Sequence, residues 1–491
     1  MIYELCQRAV NAARSFLREQ SGSIVIYTGA FMAVGIGGAA LSIDIGRIVL
    51  LKTQMQNRAD AGALAGAAQL DGQDGAIERS TWIVTDAMKA YTTAAADQGE
   101  LAVWKVQYYE AAADFVSRGP LTTDSVAARF AEVFMQRRTL SFFYAPALNI
   151  MTGKTASNFA ELDARAVAMS DPFICKTQPM MICNPLEDSD PTTPDPIPDD
   201  TYAGRSVTLK QGIQGGGTWV AGNFGLLDLP TDASYSAGGA QAVAAALSAD
   251  DPQGCYGYRV VTAPGSMTVS VSDAINTRFG MPVTDPSVSP APNVMNYPMD
   301  LNLAADPTLV IGDAVWDLPT YWATHHKDAA GNPIPMPSDL NGATRYQIYL
   351  FEQGVGYWKK NSKNVLVTEL DQSAKGYTYV DPLDPAYATV ALIPSDAAAP
   401  DDNWVDGEPP PGQTVSFKGH ERRILRVNIM NCVNNDVQGK GDYPSEGNYL
   451  EIFLTEESRA PSGGAGIYGE IVRKMNPRVS LEFHGNVRLT E

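Results

Sequence analysis

Between Ile24 and Ile43 the chain runs for the thickness of a membrane without a charge, IVIYTGAFMAVGIGGAALSI, and then meets Asp44. At about 1.5 Å of rise per residue, about twenty apolar residues are needed to cross a hydrocarbon core, and no other stretch supplies that length. A cleaved secretory signal has a shorter apolar core and a small-residue site after it. GGAAL at 37–41 leaves cleavage near Ala39 and Ala40 as the alternative, but the length favours an uncleaved anchor.

The apolar character does not stop at the carboxylate. RIVLLKTQMQNRADAGALAGAAQL contains no proline, and Leu50, Gln54, Asn57, Ala61, Leu64 and Ala68 recur at steps of three or four. That spacing predicts one continuous amphipathic helix leaving the membrane for water, stopped by DGQDG at 71–75. Asp44 is then expected at the water boundary, hydrated and paired at i,i+3 with Arg47. Inside the span, small residues recur every fourth position: Gly29, Ala33 and Gly37; Gly35 and Ala39; Gly38 and Ser42. Such a face admits close approach by another helix, with plain lipid exposure as the alternative.

Basic residues flank the span almost evenly, Arg8, Arg14 and Arg18 before it and Arg47, Lys52 and Arg58 after it. The bulk of the chain therefore decides the orientation: N-terminus in the cytoplasm, the remainder outside. Cys6 precedes the span, whereas Cys175, Cys183, Cys255 and Cys432 all follow it. An even set on an oxidising side predicts structural disulfides, with three pairings open and free buried thiols as the alternative. CKTQPMMIC is too widely spaced for a redox CxxC and lacks the partners of a zinc site. A net charge of −19 argues against a nucleic-acid partner, because phosphate binding is carried by clustered Lys and Arg.

Beyond the stalk, TWIVTDAMKAYTTAAA and DSVAARFAEVFMQRR read as helices, and AVWKVQYYEA and ELDARAVAMS as strands. Strand-like pieces follow: SVTLKQG, YRVVTAPGSMTVSVS, TRYQIYLFEQ, NVLVTEL, RRILRVNIMNCV and YLEIFLTEE. Leu425, Val427 and Ile429 alternate with Arg426, Asn428 and Met430 at the period of a half-buried strand. The expected fold is α+β: a lead at 1–22, a transmembrane helix at 23–43, a stalk helix and small mixed unit at 44–172, and a strand-rich domain at 173–491. Proline-rich loops are expected at 184–200 and 401–412.

Catalytic constellations are scarce. Of four histidines, His325 and His326 are adjacent, near Asp313 and Asp317, and a metal site there competes with aromatic packing of WDLPTYW. His420 and His484 have no motif around them, and no GxSxG, HExxH, phosphate loop or Rossmann fingerprint occurs. DDNWVDG places Trp404 where an EF-hand needs an oxygen ligand. No cofactor, resident metal or enzymatic activity is expected.

The order of a basic lead, Gly22, an apolar span and SIDIGRIVLLKTQMQNRADAGALAGAAQL resembles the N-terminal module of TadG-like proteins of the tight-adherence (Flp) pilus assembly system. The matching positions are Asp44, Gly46 and Arg47, then Gln56, Asn57, Ala59, Asp60, Ala61, Ala63, Leu64 and Ala65. Arg58 and Gly62 depart from the small residues usual there. PMMICNP, WVAGNFGLLDL, INTRFG, VWDLPTYWATHH and IYGEIV look like segments of such relatives. The resemblance implies a non-enzymatic inner-membrane component with a periplasmic domain. Its implied partners are other pilus-assembly membrane proteins, pseudopilins and a second copy of the chain.

On that reading the interaction residues are Gly35, Gly38 and Ser42 in the span, with Asp44, Gly46, Arg47, Gln56, Asn57, Ala59 and Asp60. Pilins of such systems carry a glutamate five residues after the cleaved glycine; here that position is Tyr27, which argues against polymerisation as a pilin and against cleavage at Gly22. Many TadG-like proteins also carry a von Willebrand A-type domain whose metal site begins Asp-x-Ser-x-Ser. DASYS places Asp232, Ser234 and Ser236 in that pattern, but LLDLPT before it is a short strand broken by Pro230. The plainer expectation is that Asp232 or Ser234 caps the helix AGGAQAVAAAL. The rival reading is a membrane-anchored enzyme or metal-dependent adhesin using DASYS.

Overall fold

The computed structural model describes residues 22–93, 99–144, 157–188, 195–211, 219, 221–235, 239–263, 269–281, 288–306, 308–360, 363–367, 377–387, 409, 413–445, 447–458, 466–475, 480 and 482–490. The lead, Cys6, Ser236 and most of 401–412 lie outside these residues. The chain divides into two compact units, Met1–Ser170 with Val487–Glu491, and Asp171–Asn486. The architecture is α+β.

The first unit is organised around one helix, α1 (Gly22–Ala67). Absence of proline and of β-branched runs after Asp44 lets it pass from its apolar half into its Ala- and Gln-rich half without a break. Leu51, Met55, Ala59, Ala63 and Ala67 form its fully buried stripe. They share a core with Ala131, Val133 and Met135 of strand β2 (Phe130–Met135). The buried face differs from the series expected from sequence, in which Leu50, Asn57 and Ala68 turn out exposed. Alanines and glycines beside both series look alike in sequence, and it is the sheet that selects between them.

Helix α2 (Ala76–Trp82) and a π-helical turn at Ile83–Ala87 pack on α1. Strands β1 (Val103–Tyr109), β2 and β5 (Arg165–Cys175) pair antiparallel in that order. Strands β3 (Arg138–Ser141) and β4 (Phe159–Leu162) pair separately, Ser141 opposite Phe159.

In the second unit the pairings close a ring. The ring strands are β6 (Met180–Cys183), β7 (Ser206–Gln211), β8 (Asn223–Leu227), β11 (Ile424–Met430), β13 (Tyr449–Leu454) and β14 (Gly466–Lys474). Around the ring β8, β6, β11, β13, β14 and β7 are neighbours, and β7 pairs back in parallel onto Asn223 and Phe224 of β8. The other half of β8 pairs with β10 (Arg259–Ala263), which carries β12 (Asp442–Pro444). Alternate residues, among them Met180, Ile182, Val207, Leu209, Leu425 and Val427, fill a core shared with helices α3 (Ala240–Ser248) and α4 (Val269–Asn276). A third aromatic core holds Trp316, Tyr321 and Trp322 with helix α6 (Arg345–Glu352).

The cysteines pair as Cys175–Cys255 and Cys183–Cys432. The first pair sits on directly opposed residues, where β5 meets β9 (Cys255–Tyr256). Bridges closing loops of this kind typically stabilise by about 2–4 kcal/mol each.

Several sequence readings are corrected. DSVAARFAEVFMQRR is not a helix: Phe130–Met135 is a central strand, its Ala131, Val133 and Met135 facing α1 while Glu132 on the other face accepts from Tyr109 Oη at 2.7 Å. TRYQIYLFEQ is not a strand but α6, begun by a Thr344/Gln347 capping box that outweighs the β-propensity of its aromatics. Among the described residues of YRVVTAPGSMTVSVS, Arg259–Ala263 is strand, but Val269–Asn276 begins a helix, tied down by Ser272 and Asn276 donating to the Ser458 carbonyl. TWIVTDAMKAYTTAAA leaves helical geometry after Ala87 and pairs Tyr91–Thr92 with Gly99–Glu100. Strand β11 is buried on both faces, because it is central in the ring.

Candidate functional site

The Asp44–Arg47 step is a clamp. Asp44 is 4% exposed, and its two carboxylate oxygens each accept a backbone N–H, from Phe143 and Tyr144, both at 3.0 Å. Arg47 donates to the Ser141 carbonyl at 2.9 Å and lies over the Phe143 ring at 3.9 Å. The expectation of a hydrated Asp44 is therefore wrong: its charge is buried and matched by two N–H donors from a distant segment, while its pairing with Arg47 is loose, at 4.0 Å. Hydrogen bonds to an ionised group are each worth about 1.5–3 kcal/mol, so burial with two of them is sustainable.

Farther along, Gln56 donates to Asp60 Oδ1 at 2.8 Å and to the Arg165 carbonyl at 2.9 Å, joining α1 to the start of β5. Ala59 is in the core, and Asn57 is exposed. Arg58 is buried, donating to the Val84 carbonyl at 2.6 Å, and burial lowers its pKa, with Glu100 opposing. A Cβ on Gly62 would lie 2.8 Å from Arg58 Nη1. The two departures from the family pattern are thus one feature: the long side chain occupies the space that a Gly62 methyl would take.

The apolar half of α1 differs in kind. Ile26, Phe31 and Val34 are 74–76% exposed. Nothing lies within 4 Å of a Cβ built on Gly29, Gly35, Gly37, Gly38 or Gly46. Ser42 Oγ donates to the Gly38 carbonyl of its own helix at 2.8 Å. By length and composition this helix can cross a membrane. Just beyond it, Phe143 is 67% and Tyr144 40% exposed beside the Asp44 clamp.

Elsewhere the candidate residues do not converge. Asp232 accepts from the Cys255 N–H at 3.2 Å and the Ser234 N–H donates to Gln253, whereas α3 has Gly239 as N-cap with no side-chain cap, which corrects the capping expectation. Asp317 caps helix α5 (Leu318–His325) by accepting from Thr320, and Asp313 accepts from Val315. His326 is fully buried, its ring stacked on Trp322 at 3.7 Å and its Nε2 3.1 Å from Glu352. His484 stacks on Phe173, and burial holds His420 below its ordinary pKa. No cluster of three or more His, Cys, Asp or Glu side chains suited to a metal occurs among the described residues.

Two features carried no sequence signal. Glu352 is a buried hub, accepting from Tyr297 Oη at 2.5 Å, Tyr321 Oη at 2.9 Å and Asn293 Nδ2 at 2.8 Å. Burial and then the Glu352 charge push both tyrosine pKa values well up, as expected of a satisfied core network. The second is a cleft of about 1040 Å³ in the first unit, between α1 and the ends of β1, β2 and β5.

With this geometry in view, residues 22–69 match the model of the Tad family, described as "Putative Flp pilus-assembly TadE/G-like". The match covers α1 and the turn after it, and so includes every residue of the Asp44, Arg47, Gln56 and Asp60 set. No curated protein and no solved structure matches the chain.

Proposed function

We propose that this protein is a non-enzymatic, single-pass inner-membrane component of Flp-type pilus assembly, with residues 1–22 in the cytoplasm and residues 44–491 in the periplasm. Its partners on this reading are other assembly membrane proteins and pseudopilins, met through the apolar half of α1 and the outer units. The observation that carries it is α1 itself, one unbroken helix whose first half is apolar and exposed and whose second half is the core of a folded unit. Such a helix fixes the outer unit close to the bilayer. The family match on the same residues supplies the system.

Two further features support the reading. Exposed Phe143 and Tyr144 beside the clamp suit the aromatic-rich zone where hydrocarbon meets water, with Arg47 beside them. Paired cysteines suit an oxidising compartment. The DASYS rival draws no comparable support, because Asp232 is engaged by the Cys255 N–H.

Membrane-impermeant maleimide tests the topology on intact spheroplasts. Cys introduced at exposed Asn57 is expected to label at once, and native Cys6 only after the inner membrane is opened. Labelling of Cys6 in intact spheroplasts with Asn57→Cys protected would reverse the orientation. Deletion of the gene is expected to abolish surface pili; a piliated deletion strain would remove the assembly role.

A further inference from the structure

The cleft of about 1040 Å³ in the first unit is basic in a chain that is strongly acidic overall. Its lining includes Lys52, Lys105, Arg118, Arg137 and Arg165, with Asp163 as the acidic exception. Two of these cations are already matched, Lys52 by Asp163 at 3.7 Å and Arg165 by Glu132 at 3.2 Å. Lys105, Arg118 and Arg137 have no carboxylate partner among the described residues. Lys105 lies instead over the rings of Trp104, at 4.8 Å, and Phe134, at 4.3 Å. A register shift between Val103 and Lys105 brings these neighbours together, as a bulge re-aims side chains.

We infer that this cleft is a docking site for an extended acidic segment of a partner protein. Three unmatched positive charges around one concavity select an anion, and the volume, at the upper end of the range for small-ligand pockets, exceeds what one phosphate or carboxylate fills. Trp104, 66% exposed, offers an apolar surface beside the charges. Among the described residues strand β1 is the outer strand of its sheet, so Val103 to Val106 present an edge to which an incoming strand can pair. Edge lysines commonly repel unwanted strands; a segment carrying carboxylates is the one such an edge accepts.

Anionic lipid headgroups share the charge but not the position. Lys52 lies about 12 Å along the helix from Asp44, and Gln56, also on the lining, about 18 Å at 1.5 Å per residue. The headgroup layer extends only about 5–8 Å beyond the hydrocarbon core, and a tilt of about 20° changes this little. Exclusion of lipid rests on the membrane exit at Asp44 proposed above; the charge and size arguments do not.

The test uses full-length protein in uncharged detergent and a fluorescein-labelled hexapeptide of alternating Glu and Val, with the Gln and Val peptide as control. Anisotropy is expected to show salt-sensitive binding of the acidic peptide only, weakened at least tenfold by the double variant Arg118→Gln/Arg137→Gln. Both arginines are exposed, so the fold is expected to survive, checked by an unchanged melting curve. Equal binding of both peptides, or of one peptide to both proteins, overturns the inference. So does displacement of the peptide by millimolar inorganic phosphate, which identifies a small-anion site. Native mass spectrometry with phosphatidylglycerol distinguishes the remaining source: lipid bound by the wild type and lost in the double variant means a headgroup site. If only the maleimide labelling fails, the topology falls and the peptide result stands.

Discussion

The two halves of α1 have the same vocabulary of small residues and opposite fates. In the half before Asp44, the glycines have nothing within 4 Å of where a Cβ would be. In the half after it, a Cβ on Gly66 would meet Val84 Cγ2 at 2.9 Å and Ser80 Oγ at 3.0 Å. A small-residue stripe therefore says only that something can come close. In the second half the chain itself supplies the neighbour, from α2 and the π-helical turn; in the first half no described residue supplies one.

The sharpest way to break this contrast is to fill both halves. Gly66→Leu is expected to destabilise the first unit by about 3 kcal/mol or more through overpacking. Gly35→Leu is expected to leave that unit's melting temperature unchanged. Equal losses would mean that the outer half is packed as well. Next in size is Asp44→Ala, which strips the acceptor from two N–H groups at a cost of about 2–3 kcal/mol. Hydrogen exchange of the Phe143 and Tyr144 amides should accelerate about a hundredfold, with the core of the second unit unaffected; unchanged exchange would show that the clamp contributes nothing.

A finer test concerns the Arg58 and Gly62 pair. Gly62→Ala alone is expected to cost about 1–2 kcal/mol by crowding the guanidinium, and most of that cost should vanish in an Arg58→Ala background. Thermal denaturation of the four proteins gives the coupling; additive losses would separate the two positions. Smallest of all, Gly35→Ala with Gly38→Ala should alter stability by less than about 0.5 kcal/mol. If these residues meet a partner helix, that double variant should still lower co-purification of assembly proteins.

The apolar half of α1, long enough to cross a membrane, was legible from its uncharged length, and the continuation past Asp44 because nothing in RIVLLKTQMQNRADAGALAGAAQL breaks a helix. The clamp was half legible. Asp44 and Arg47 were marked by the family pattern, but their partners at 141–144 are separated from them by most of the first unit and carry no local signal. FAEVFM and TRYQIYLFE show the converse error: apolar and aromatic runs fit either period, and only neighbours on both faces decide. For the second of these, the Thr344 and Gln347 capping box that begins the helix is a local signal, and the reading of TRYQIYLFEQ as a strand passed over it.

What the sequence determined by itself is local and additive: an apolar length that suits a bilayer, a helix without a stop, strands such as Leu425 to Ile429 with a two-residue period, and an acidic surface. Tertiary structure alone decided which face of α1 is buried, which cysteines meet, that six strands close on themselves, and that Lys105, Arg118 and Arg137 gather into one cleft. The reason is the range of the forces: propensity and periodicity act within a few residues, whereas burial, strand pairing and charge clustering depend on contacts that form only when distant segments are brought together.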